Sequence, residues 1–116
     1  MLAKGPLGEL SREFALDIIS YCDQLYDNKK YKIGDQLLRS GTSIGANNHE
    51  ANSAQSRKDF INKLKIAHKE ALETEYWIFL CQKSNNFPDP TALSGPLQSI
   101  LKMLNKAIAT SISKLE

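Results

Sequence analysis

The sequence predicts an all-α protein, an antiparallel up-and-down bundle of four helices. Three observations carry that expectation. Apolar residues recur at steps of three and four in four separate stretches. Polar or proline-bearing breakers separate the stretches by only a few residues, and short connections favour antiparallel neighbours. No run of alternating polar and apolar residues asks for a sheet.

In the first helix the stripe is Leu10, Phe14, Ile18, Tyr21 and Leu25. It begins near Pro6 or Ser11, since proline suits a first turn and serine an N-cap. It stops in Asp27-Asn28-Lys29-Lys30, with asparagine as the terminator. The second helix runs from about Lys32 to Asn52, with Ile33, Leu37, Ile44 and Ala51 on one face. Gly34, Gly41, Gly45 and Asn52 form a narrow strip along it. Each helical glycine costs about 1 kcal/mol relative to alanine. The strip therefore marks either the close approach of a neighbouring backbone or a helix that is merely irregular.

The third helix opens at Ser53 or Ser56, with Asp59 in the first turn, where the helix dipole favours negative charge. Phe60, Leu64, Ala67, Ala71, Ile78 and Phe79 define its main apolar face. Ile66, Trp77 and Leu80, with Tyr76 alongside, form a second apolar group almost opposite. A helix apolar on two sides is buried on two sides, so the second group is expected to meet another chain or another part of this one. The stretch Asn85 to Pro90 breaks the chain, with Asp89 able to cap and Pro90 to open a turn. Gly95-Pro96 then interrupts, which puts the main fourth helix near Pro96, with Leu97, Ile100, Leu101, Leu104, Ala107, Ile108 and Ile112 as its stripe.

Composition bounds the functional classes. The 116 residues suffice for one domain, 1–116, that buries roughly two-thirds of its unfolded surface. At 41% hydrophobic and 24% charged, the chain is an ordinary globular one. Two cysteines are too few for a disulfide scaffold and suit a reducing cytoplasm. The apolar run from Trp77 to Cys81 is far short of a membrane span, and the N-terminal residues lack a signal-peptide core. A net charge of +2 does not force a nucleic-acid partner.

Residues 40–80 are more specific than periodicity requires. Ser40-Gly41-Thr42-Ser43-Ile44-Gly45-Ala46-Asn47 is followed by Glu50-Ala51, then by Ser56-Arg57-Lys58-Asp59-Phe60-Ile61 and by Leu64-x-Ile66-Ala67. The pattern continues from Lys69-Glu70-Ala71-Leu72-Glu73 through Thr74-Glu75-Tyr76-Trp77. This resembles the bacterial 23S rRNA intervening-sequence proteins over roughly residues 10–114. Many relatives carry glycine after the glutamate matching Glu50, where this chain has Ala51. The resemblance implies a four-helix bundle assembling into a ring, typically a homopentamer. It implies that some members are encoded in insertions within rRNA genes. It also implies that a related branch binds nucleic acid as the accessory protein of diversity-generating reverse transcriptases. No enzymatic activity and no cofactor come with it.

The chemistry-bearing residues give few sites. His49 and His68 lie on different helices outside any HExxH or Glu-x-x-His arrangement, so no metal site is expected. Cys22 and Cys81 lack CxxC partners, and packing is their default role. Gly41 and Gly45 sit within a helix and make no phosphate loop. Glu75 falls within the stripe of the third helix and calls for a buried partner, with Arg39, Asn47 and Asn48 as candidates. It is read as a register-fixing link or, alternatively, as a perturbed acid in a pocket. Lys29, Lys30 and Lys32 crowd the first loop, and Arg57, Lys58, Lys63, Lys65 and Lys69 load the front half of the third helix. These lysines form either a solvated face or a phosphate-binding surface for RNA or DNA. The expectation is a non-enzymatic, cytoplasmic assembly protein, with a nucleic-acid-binding accessory factor as the alternative.

Overall fold

A computed structural model describes residues 2–115, which fold into four helices with no strand among them. The elements are α1 (Pro6–Asp27), α2 (Tyr31–Ala51), α3 (Arg57–Lys83) and α4 (Thr91–Ser113). Each helix packs on its neighbours in chain order and α1 also closes on α4, while the diagonal helices α1 and α3 meet only through side chains such as Tyr21 and Cys81. The result is an antiparallel bundle of 50 × 26 × 21 Å.

Pro6 opens α1, where its missing N–H costs nothing. Gly5 precedes it at φ +88°, a backbone region that favours glycine. The stop matches the expected Asn28, which is the C-cap and bonds through Nδ2 to the Gln24 carbonyl at 2.7 Å. The next residue, Lys29, turns left-handed at φ 63°. The Lys30 amide then reaches back to the Leu25 carbonyl at 2.8 Å and the Lys29 amide to Tyr26 at 2.9 Å, the paired bonds of a Schellman stop. At α3, Ser56 is the cap, accepting from the Asp59 amide at 3.1 Å, and the Asp59 carboxylate accepts from the Gln55 amide at 3.2 Å.

The fourth helix starts at Thr91, five residues before the expected Pro96. Asp89 accepts from the Thr91 amide at 3.0 Å and from its hydroxyl at 2.5 Å, and these two bonds hold its carboxyl below the usual range. Leu93 anchors the first turn in the core. Residue 95, just before the proline, has no Cβ to meet the pyrrolidine ring, so the turn stays helical through Pro96.

Phe14, Ile18, Leu37, Ile44, Leu64, Ile100 and Leu104 form the centre of the core. Phe79, expected in the core, is 51% exposed. The buried seam of α3 instead runs Leu64, Ala67, Ala71, Thr74, Ile78 and Cys81, a repeat of three and four. Ile112 likewise turns outward, and Ser111 takes the buried position near the end of α4.

Gly34 and Gly41 are sites of close packing. A Cβ on Gly34 would lie 2.7 Å from the Tyr26 ring, and one on Gly41 would lie 2.8 Å from Ile18. The neighbours are side chains of α1, not its backbone. Within the strip on α2, only at Gly45 is backbone the neighbour, and there a Cβ would lie 3.5 Å from the Ser11 carbonyl oxygen.

Candidate functional site

The expected buried link at Glu75 is not formed. Glu75 is half-buried at the α3–α4 edge and accepts from Gln98 Nε2 at 2.6 Å. Arg39 points to the other side of α3, pairing with Glu70 at 3.1 Å and with Glu73. Asn47 bonds within α2 to the Ser43 carbonyl, and Asn48 is buried against α1. The position that enters the core is Thr74, whose hydroxyl lies 2.9 Å from Ser40 and 2.8 Å from the Glu70 carbonyl. A hydroxyl can be satisfied by its own helix and be buried, which a carboxylate cannot.

The second apolar face of α3 exists but is rotated from the expected group. Trp77 packs against the edge of the core and donates from Nε1 to Glu73 at 2.9 Å. Ile66 and Leu80 are half-buried. The outward strip is Leu72, Tyr76 and Phe79, each about half exposed, with the Tyr76 ring edge-on to Trp77. Lys58, Lys65 and Lys69 continue the same line toward the start of α3, and Lys83 ends it. Arg57 is exposed in the first turn.

The loop lysines form a separate corner. Lys29, Lys30 and Lys32 line a shallow cavity with Tyr31, Ile33 and Phe87. Lys30 Nζ sits 5.0 Å from the centre of the Phe87 ring. Tyr31 stacks one face near Tyr26 and leaves the residue 56% exposed. These aromatics escaped sequence reasoning because Phe87 lies far away in the chain, and only the fold brings it to the α1–α2 loop.

Among the described residues no group of three His, Cys, Asp or Glu is placed to hold a metal. Cys22 and Cys81 are free and buried. Burial pushes the Cys22 thiol up to about 12, with the nearby Cys81 adding to the shift, and burial also raises Cys81. Cys22 is therefore almost wholly protonated at neutral pH. Its contribution to stability is full below the unfolded value of 9.0 and is lost as pH rises toward 12. Both thiols should resist alkylation at pH 8 in the native protein, at least about 100-fold relative to the urea-unfolded chain. Rapid native labelling in a thiol-exchange assay would contradict this burial.

The fold defines the class first: a four-helix bundle with an unpartnered, partly aromatic helix face, in which no described helix is long and apolar enough to cross a membrane. The family model for the 23S rRNA-intervening sequence protein matches residues 7–106. The chain belongs to that family. It is also similar to a crystal structure from Bacteroides thetaiotaomicron, described as a protein of unknown function from the S23 ribosomal protein family. The two are 42% identical, the match covers 89% of this chain and 98% of that one, and the TM-score is 0.84. No curated protein matches the chain.

Proposed function

We propose that this protein is a non-enzymatic, oligomeric member of its family, working in the cytoplasm by presenting helix surfaces to partners, the first of them another copy of itself. The observation that carries the reading is the exposed strip of Leu72, Tyr76 and Phe79 on α3. Burying a large side chain of this kind contributes about 1.5–3 kcal/mol, and a symmetric assembly repeats the gain at every interface. The expected product is a closed homo-oligomer, a homopentamer on the family resemblance. Light scattering coupled to size exclusion measures the mass directly. A monomer at micromolar concentration would overturn the reading.

A second reading is nucleic-acid binding, and the corner of Lys29, Lys30 and Lys32 favours it. Three cations beside an exposed Tyr31 combine phosphate contact with a surface on which a base can stack. Lys58, Lys65, Lys69 and Arg57 would extend the basic surface along α3. Binding would be weakly sequence-specific, with each phosphate contact adding about 0.7–0.9 to the salt slope. Fluorescence anisotropy with labelled RNA and DNA tests it, and no binding by the oligomer at low salt removes it.

A further inference from the structure

The outward face of α1 is the counterpart of the outward face of α3. Glu9, Glu13, Leu16, Ser20, Asp23 and Asp27 recur at steps of four and three, and all are exposed, Leu16 at 64%. Ile19, 42% exposed, flanks Leu16. The face carries four acids, and the one base at its edge, Arg12, is half-buried and turned onto the Ala3 carbonyl. The face on α3 is its opposite, with Lys65, Lys69 and Lys83 around the strip of Leu72, Tyr76 and Phe79, while the acids that flank the strip, Glu73 and Glu75, are engaged by Arg39 and Gln98. Glu9 and Glu13 are like charges four apart, as are Asp23 and Asp27, and Lys65 and Lys69. Such spacing destabilises an isolated helix. None of these charges is in an ion pair among the described residues.

The two faces also match in height. Gly41 lies against Ile18 of α1, and the adjacent Ser40 bonds to Thr74 of α3, so Ile18 and Thr74 sit at one level of the bundle. Both helices run in the same direction, because each connection reverses the chain, and both rise equally per residue. Glu9 is therefore level with Lys65, Glu13 with Lys69, Leu16 with Leu72, and Asp27 with Lys83. An assembly whose axis runs along the bundle adds no shift along the helices, so the level residues are the ones that meet. Acid meets base at both ends and apolar meets apolar between them.

From this register we infer that copies of the chain associate head to tail, the acidic α1 face of one copy lying parallel on the basic, aromatic α3 face of the next. This rests on the oligomeric reading and names the two surfaces that make the contact. The faces lie on diagonally opposite helices, so the contact is heterologous and leaves both faces of an inner copy occupied. It uses Lys65 and Lys69 for protein and leaves the corner of Lys29, Lys30 and Lys32 free.

A charge swap on the full, nuclease-treated chain tests this by light scattering. Glu9→Lys with Glu13→Lys, or Lys65→Glu with Lys69→Glu, should each raise the concentration for half-assembly about tenfold or more. The variant carrying all four should reassemble. Assembly should also weaken near 1 M salt, where the screening length is about 3 Å. All four positions are exposed, and circular dichroism confirms that each variant is folded. A folded α1 variant with the wild-type mass would overturn the inference in favour of an α3-to-α3 contact, as would a fourfold variant that stays dissociated. Wild-type assembly that vanishes on nuclease treatment would assign the contact to nucleic acid and overturn it too. A wild-type monomer under all conditions would instead remove the oligomeric reading itself.

Discussion

Thr74→Glu should abolish cooperative folding of this bundle, or lower its melting temperature by more than about 10 °C. Thr74 is fully buried between α3 and α2, with its hydroxyl shared between Ser40 and the Glu70 carbonyl. A carboxylate there has no cation within the core to meet. Arg39 is engaged at the surface with Glu70 and Glu73, and its side chain is 48% exposed. Burying an unpaired charge costs several kcal/mol, against a total stability of about 5–15 kcal/mol for a domain. Thr74→Val keeps the shape and removes the hydroxyl, so Ser40 loses its interhelical partner. That should cost about 1–2 kcal/mol, or roughly 4–8 °C per kcal/mol for a domain near this size. Glu75→Thr, one residue on, loses only the bond to Gln98 at the rim and should shift the melt by a few degrees at most. Thermal melts of the three variants give the order. A Thr74→Glu protein that melts like wild type would place residue 74 outside the core.

That contrast also explains what could be read in advance. The four helices, their order, the Asn28 stop and the Ser56 cap follow from apolar period and local hydrogen-bonding chemistry, which sequence displays. The error at Glu75 came from following a stripe of Phe60, Leu64, Ala71 and Ile78 at one even period. The true seam alternates steps of three and four, which moves the buried polar position to Thr74. Asking which of two adjacent polar residues can satisfy itself while buried would have chosen the hydroxyl. Phe79 and Trp77 exchanged their expected roles for the same reason: a small rotation of the helix carries one out and brings the other to the core's edge. The Lys30–Phe87 contact and the match between α1 and α3 depend on which helices are neighbours and at what height, and no local pattern encodes that. The early start of α4 was hidden by Pro96, normally a helix breaker, because a glycine before it relieves the usual clash.

Adding a methyl group to α2 should have opposite effects at two positions one turn apart. At Gly41 a Cβ would lie 2.8 Å from both Cγ atoms of Ile18 and 3.0 Å from its Cδ1. Ile18 is fully buried, and its branched side chain is held by the core around it, so it has no open space to rotate into. Overpacking of this kind typically costs 1–3 kcal/mol, more than the roughly 1 kcal/mol that alanine gains over glycine in a helix. Gly41→Ala should therefore destabilise by about 1 kcal/mol, and Gly41→Leu by enough to separate α1 from α2. At Gly45 the nearest atoms, those of Ser11, are 3.5 Å away, an ordinary contact. There the helix propensity is not cancelled, and Gly45→Ala should stabilise by up to about 1 kcal/mol. Gly45→Leu exceeds the space and should again cost 1–3 kcal/mol. Because Ile18 is the obstacle at Gly41, trimming it tests the cause. Ile18→Val in the Gly41→Ala background should recover part of the loss, although the same change alone costs about 0.5–1.5 kcal/mol. A double-mutant cycle in urea measures that coupling. Additive effects, or a Gly41→Ala protein more stable than wild type, would mean that α1 yields at Ile18 and that the glycine serves another purpose.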